Sequence, residues 1–270
     1  ATFVVSYTLP DSYCISPESV RSLITPITKL IVPVALNGWL PDLFQIKQII
    51  TESSYRIKIL LDSCQAFGCD VYNSSRNYID AAAYSFAVTK VVTSGQGGVL
   101  CTDQPDLYSK ARLIKNNGCK SIIKPHYECS GLNLKFSDIL ASLLHSNLRS
   151  LQSNISKIRR LHSFYTALFS KVPGYSIMPS PPHSNSFSVY SLVRAHTDPG
   201  LQKLITALEA LNIEYRQFPP GLSHSNAFTV RSDLTRSNLD AKLTIYLPSG
   251  PAQPFRLIKK RLTMAVYMLS

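Results

Sequence analysis

Across 270 residues, 28 Lys and Arg stand against 16 Asp and Glu for a formal net charge of +12, with 45% apolar and only 16% charged residues. A charged share below the roughly 25% usual in globular chains, beside an ordinary apolar share, excludes a disordered chain and provides for one or two packed cores. The most lipophilic run, Leu30 to Leu36, is interrupted by Pro33 and falls far short of the roughly 20 apolar residues a helical membrane span needs, so no membrane partner is expected.

Short apolar runs alternate with helical spacing from the start. Thr2 to Val5, Leu30 to Leu36 and Ile57 to Leu61 read as buried strands, with helices at Pro17 to Leu23, Leu43 to Ile50 and Pro105 to Lys115 between or after them. This βαβ order predicts a mostly parallel sheet with helices on its faces and right-handed crossovers. Two further strands, Ala81 to Phe86 and Gly98 to Thr102, flank a loop holding Gly95, Gly97 and Gly98 and extend that sheet. Between Ser137 and Phe169 apolar residues recur at three and four without Pro or Gly, which predicts one long or once-bent helix linking two domains. Pro173-Gly174 and the Pro179 to Pro182 cluster then break the pattern. A strand at Phe187 to Val193, a helix at Leu201 to Leu211 and a closing helix at Phe255 to Met268 make a small α+β domain. The expected organisation is an α/β large domain over 1–150, then the linking helix and small C-terminal domain over 151–270.

The six cysteines (Cys14, Cys64, Cys69, Cys101, Cys119, Cys129) form no Cys-x-x-Cys pair. Neither a metal site nor a disulfide framework is expected, and a reduced, cytoplasmic compartment is. Asn73-Ser74-Ser75 and Asn154-Ile155-Ser156 match the glycosylation triplet, which a serine-rich chain produces by chance. The opening Ala1-Thr2-Phe3-Val4-Val5 has neither an initiator Met nor the features of a signal peptide, so the true beginning is expected upstream.

The chemistry concentrates in two segments. In Ile59-Leu60-Leu61-Asp62-Ser63-Cys64-Gln65-Ala66 an apolar strand ends in a carboxylate, which places Asp62 at the carboxyl edge of the sheet, where open α/β folds bind ligands. An acid in an apolar crevice needs a cation against it; a helix-capping Asp is the equally weighted alternative. Further on, Tyr84-Ser85-Phe86-Ala87-Val88-Thr89-Lys90-Val91-Val92 sets a lysine among apolar residues before the Gly95-Gln96-Gly97-Gly98 turn. Partial desolvation there raises the fraction of free amine able to attack a carbonyl, whereas an unselected lysine more often packs its stem and keeps its charge in water. Acid, hydroxyl, amine and glycine-rich turn together match the needs of a phosphorylated pyridine aldehyde: an acid for the ring nitrogen, an amine for the aldehyde, small donors for the phosphate.

On these residues the stretch from about Thr2 to Leu144 resembles the DegT/DnrJ/EryC1/StrS family of pyridoxal-phosphate sugar aminotransferases, a branch of the fold-type-I aminotransferases. Ile31-Val32-Pro33-Val34-Ala35-Leu36-Asn37-Gly38 is similar to the family's strand leading to a Gly, and Asp62-Ser63-Cys64-Gln65-Ala66 to its Asp-x-x-Gln-Ala signature. Ser85-Phe86 through Lys90 to Gly98 is similar to its Ser-Phe, Lys and Gly-x-Gly-Gly block. Lys115 to Gly118, Gly131 to Asp138 and Leu247 to Pro251 resemble three later stretches. The resemblance implies a fold-type-I large domain with a smaller C-terminal domain, and pyridoxal 5'-phosphate as cofactor. It implies that Lys90 carries the cofactor and shuttles the proton, that Asp62 keeps the pyridine nitrogen protonated, and that Gln65 contacts the ring or its phenolic oxygen. Ser85 would donate to the phosphate and Asn133 would reach the phosphate of a neighbouring subunit, which implies a homodimer.

The activity so implied is amino transfer from an amino acid, glutamate by expectation, to a nucleotide-linked keto-deoxysugar. A sugar dehydratase of the same family would carry His in place of Lys90. Ala87-Val88-Thr89 stands where the family has His-Pro-Thr, Asn117 where many members have His, and Lys135 where many have Arg. The family's N-terminal helix, phosphate cup and stacking aromatic are not visible here, so the chain is expected to be either a fragment of a complete enzyme or a degenerate relative without catalytic activity. Nucleic acid is the remaining partner class, raised by the net charge; Lys157 to Arg160 and Lys259 to Arg261 are the only clusters and read as solvated helix faces. His126-Tyr127 could line a substrate pocket, although a satisfied His is the commoner case.

Overall fold

The computed structural model describes residues 2–10, 12–69, 74–121, 123, 125–182, 185–230 and 234–269. Asn73, the first residue of one glycosylation triplet, therefore lies outside the described residues. A four-stranded sheet of order β2-β3-β4-β5 carries the first half: β2 (Leu30–Ile31), β3 (Lys58–Asp62) and β4 (Ala81–Ser85) run parallel, and β5 (Gly98–Cys101) runs antiparallel to β4. Helices α1 (Pro17–Leu23) and α2 (Leu43–Ser53) precede β2 and β3. Each starts on a side-chain cap: the Ser16 hydroxyl accepts from the Ser19 N–H at 3.4 Å, and the Asp42 carboxylate from the Gln45 N–H at 2.9 Å. The apolar face of α2, Ile46, Ile49 and Ile50, closes over Ile59 and Leu61 of β3 to make the first core.

Two strand expectations in this half need correction. Thr2 to Val5 is not part of this sheet: β1 (Phe3–Val5) is largely exposed and pairs parallel with β9 (Phe228–Val230). Leu30 to Leu36 forms a strand only to Ile31. Pro33 has no N–H for the ladder, so pairing to β3 survives beyond it as a single bridge, Val34 to Asp62, with the Asp62 N–H donating to the Pro33 carbonyl at 2.8 Å.

After β5 come α3 (Pro105–Lys115), an irregular segment, then α4 (Asp138–Leu148) and α5 (Leu151–Phe169). The helical run expected over Ser137 to Phe169 is bent once, at Arg149 and Ser150. Helix α5 spans two cores: Ile155 and Ile158 pack in the first, Leu161, Tyr165 and Phe169 in the second. That second core fills one face of an antiparallel sheet of order β6-β7-β10-β8, made of β6 (Tyr175–Ile177), β7 (Ser191–Ala195), β8 (Arg216–Gln217) and β10 (Thr244–Leu247). Helices α6 (Asp198–Ala210) and α8 (Phe255–Tyr267) pack on it through Leu204, Leu208 and Leu262. The strand expected from Phe187 starts only at Ser191. β6, β8, β10 and α7 (Thr235–Lys242) are too short or too polar to have been read as elements.

Candidate active site

β3 ends on Asp62, directly opposite Ala83 of the parallel strand β4, and Ser85 closes β4 two residues on. Paired residues on neighbouring strands share a face, as do residues two apart. The carboxylate of Asp62 and the hydroxyl of Ser85 thus leave one sheet edge on one side, at the carboxyl ends where such sheets bind ligands. The Asp62 carboxylate accepts from the Cys64 N–H at 2.9 Å, which fixes its orientation within the turn. Ser85 Oγ accepts from the Ala87 N–H at 3.3 Å, so its own O–H points elsewhere.

Lys90 sits in a turn, its N–H donating to the Ala87 carbonyl at 3.0 Å, and is half-buried. Val91 and Val92 behind it are buried in the first core, which anchors the backbone. Cys64 follows Asp62 by two residues. Its thiol is pushed up to about 12, first by burial, then by a hydrogen bond to Asp62 and that carboxylate's charge, while the positive charge of Lys90 acts in the opposite direction.

The glycine loop folds back beside them. The Phe86 N–H donates to the Gly97 carbonyl at 2.9 Å and the Ser94 N–H to the Phe86 carbonyl at 3.0 Å. Gly97 has φ 106, and a Cβ there would strike the ring of Phe136, so only glycine lets the loop lie under that ring. Asn133 is exposed, bridges Asn116, and reaches this group only through the segment ending in Phe136. Tyr127 is likewise exposed and bridges Cys119.

Gln65 contributes through a partner that sequence reading missed. Its Oε1 accepts from the Asn37 N–H at 3.1 Å. Asn37 is fully buried at φ 53, a left-handed conformation Asn tolerates better than most residues. Its amide clasps Tyr190 on both sides, donating to the Tyr190 carbonyl at 2.9 Å and accepting from the Tyr190 N–H at 2.6 Å. The Tyr190 hydroxyl donates in turn to the Thr89 carbonyl at 3.0 Å. The Asn-Gly dipeptide was a usable signal for a positive-φ turn; the partnership with Tyr190 had none. Asn154, noted only as a glycosylation triplet, donates from Nδ2 to the Val91 carbonyl at 3.0 Å.

No group of three or more metal-capable side chains occurs among the described residues, and no helix among them is long and apolar enough to cross a membrane. The basic clusters are partly engaged in packing: Arg160 lies 4.0 Å over the Phe255 ring, and Arg261 donates to the Asn212 carbonyl at 3.1 Å. A hollow of about 150 Å³ lined by Tyr13, Met178, Arg194 and Thr244 contains none of the predicted site residues. It is smaller than the roughly 300 Å³ at which small-molecule pockets begin.

The family model for the DegT/DnrJ/EryC1/StrS aminotransferase family matches residues 2–252. The chain is 28% identical over 181 residues to a dTDP-4-amino-4,6-dideoxy-D-glucose transaminase of Escherichia coli, covering 65% of this chain and 47% of that protein. It spans about half the length of the curated relatives it matches. The fold superposes on the aminotransferase TlmJ of Streptoalloteichus hindustanus with TM-score 0.87 at 21% identity, covering 99% of this chain and 74% of that one. It superposes also on the Escherichia coli GDP-4-keto-6-deoxy-D-mannose-3-dehydratase with bound hydrated pyridoxal phosphate, with TM-score 0.82 at 18% identity, covering 100% of this chain and 74% of the other. These two likenesses establish the fold, a fold-type-I α/β architecture.

Proposed function

The chain belongs to the DegT/DnrJ/EryC1/StrS aminotransferase family, and from that premise we propose that it acts as a pyridoxal-phosphate-dependent aminotransferase. Its reaction would move an amino group from an amino acid, glutamate by preference, to the keto group of a nucleotide-linked deoxysugar. The observations that support this reading are the shared strand-end position of Asp62 and Ser85 and the turn that carries Lys90 directly after β4. A pyridine aldehyde needs an acid and an amine on one side of a sheet edge with a hydroxyl and a glycine-rich turn beside them, and Ser85 and the Gly97 loop complete that set. The donor set fits the group. Names among the relatives supply the sugar class: one is a transaminase of a dTDP-linked dideoxysugar, and a protein of the same fold holds pyridoxal phosphate.

When bound, pyridoxal phosphate supplies an electron sink for the carbon that loses its proton. Asp62, oriented by the Cys64 N–H, would hold a proton on the ring nitrogen through its negative charge. Lys90 would hold the cofactor covalently and carry the proton at its Nζ. Gln65, its oxygen occupied by Asn37, would turn its NH₂ toward the ring's phenolic oxygen. The Ser85 hydroxyl would donate to the phosphate, as would Asn133 to the phosphate held by a second copy, which makes a homodimer the working assembly.

Borohydride reduction after incubation with pyridoxal phosphate, followed by peptide mass spectrometry, tests the assignment directly. Label is expected on Lys90 and is lost in Lys90→Ala. Asp62→Asn should keep the label yet slow transfer from glutamate to a nucleotide-linked keto sugar by at least about a hundredfold. Label on a different lysine, or unimpaired transfer in Asp62→Asn, would overturn the proposal.

A further inference from the structure

The backbone from Thr89 to Thr93 belongs to no strand, yet its alternate carbonyls are each taken by a side chain from elsewhere. The Tyr190 hydroxyl donates to the Thr89 carbonyl at 3.0 Å, Asn154 Nδ2 to that of Val91 at 3.0 Å, and Asn147 Nδ2 to that of Thr93 at 2.6 Å. A partly buried segment without a ladder must find partners for its carbonyls somewhere. These partners come from three places: α4, α5 and the strand approach before β7. We propose that Tyr190, Asn154 and Asn147 form a clamp that positions Lys90, with Tyr190 as its key member.

Tyr190 stands out for two reasons. Its bond falls on the peptide group joining Thr89 to Lys90, so it orients the plane from which the lysine side chain departs. Its own backbone is held on both sides by Asn37, whose N–H is bonded to Gln65. Lys90 is thereby referenced to the Asp62-to-Gln65 turn through two residues that never touch the reacting atoms. A lysine side chain is flexible, and reaction rates respond steeply to displacements of about 1 Å; a fixed peptide plane removes the part of that freedom the protein can control. Tyr190 and the two asparagines are positioning residues in this account, which rests on Lys90 being the lysine that takes the cofactor.

The deciding variant is Tyr190→Phe, which keeps the ring against Tyr246 and deletes only the hydroxyl. Asn154→Ala provides an independent cut should the first variant fold poorly, and Tyr175→Phe, which loses a similar hydroxyl bond to the Gly200 carbonyl in the second core, is the control. Three readouts are taken: thermal unfolding, amide hydrogen exchange of residues 88–94 without cofactor, and the rate at which Lys90 is labelled by pyridoxal phosphate and borohydride. Loss of one hydrogen bond should make the segment open about fivefold more often and slow labelling by a similar factor, with the midpoint lowered by no more than about 3 °C. The control should leave exchange and labelling unchanged. Unaltered exchange in both clamp variants would overturn the proposal. So would faster exchange with a wild-type labelling rate, because the bonds would then be structural only. If Lys90 of the unsubstituted chain takes no label, the cofactor assignment fails, and the exchange measurement decides the clamp by itself.

Discussion

Burial, a hydrogen bond to Asp62 and that carboxylate's charge together push the Cys64 thiol up to about 12, against the opposing charge of Lys90. Only the thiolate alkylates readily, so iodoacetamide at pH 8 should modify the exposed Cys129 and leave Cys64 intact. In Asp62→Asn two of the three raising influences are weakened, and Cys64 should react about tenfold faster for each unit by which the thiol falls, as read by peptide mass spectrometry. His162 gives a second titration. Buried beside the Ser191 hydroxyl at 3.2 Å, its imidazole is held below the usual value because burial disfavours the charged form. The unfolded chain then takes the proton more readily than the folded one. The associated stability is fully present above the unfolded value of about 6.5 and is lost as pH falls below it. Melting curves from pH 8 to pH 5 should show this loss, and His162→Gln should flatten it. At this scale the sequence displays Asp62 and Ser85 at the ends of apolar strands and Lys90 amid apolar neighbours, all local patterns. Asn37 and Tyr190, which hold the lysine turn from 153 residues apart, have no local pattern to betray them.

The elements show the same division between local and distant causes. Pro33 cutting the strand begun at Leu30 follows from its missing N–H, and the side-chain caps of α1 and α2 are readable as Ser-Pro and Asp ahead of apolar spacing. β1 misleads because its apolar residues carry the strand signal, while the choice of partner, β9 over the large sheet, is made by tertiary structure. The start of β7 misleads similarly: Phe187 to Tyr190 is apolar enough for a strand but is diverted to Asn37 and Gly38. Gly38 has φ 84, and a Cβ there would collide with the Phe187 carbonyl oxygen. Backbone, unlike a side-chain tip, cannot swing away. Gly38→Ala should therefore lower stability by about 2 kcal/mol or more, seen as a reduced urea midpoint at unchanged slope.

At the scale of the molecule, α5 passes from one hydrophobic core to the other between Ile158 and Leu161, while its apolar spacing runs on without a mark. The two cores are legible only once the sheets are known. Beside the first core lies a stretch whose apolar side chains stand exposed. α3 and α4 bury no residue, and Leu132, Leu134, Ile139 and Leu143 are exposed, Ile139 to 75%. Asn133 stands among them. An apolar surface of this kind marks an interaction site, and the proposed contact of Asn133 with a second copy's phosphate requires a neighbour on that side. Ile139 and Leu143 lie one helical turn apart on α4, so a shared face would bury both. Placing two carboxylates there by Ile139→Glu with Leu143→Glu should forfeit about 2 kcal/mol or more at each site, weakening self-association roughly a thousandfold. Sedimentation of the unsubstituted chain should show a dimer, and of the double variant a monomer. The variant should retain the first core, since neither residue contributes to it, so its unfolding midpoint extrapolated to low concentration should match that of the dissociated parent. A parent chain that is monomeric at all concentrations would remove the second copy from the proposed site, and Asn133 with it.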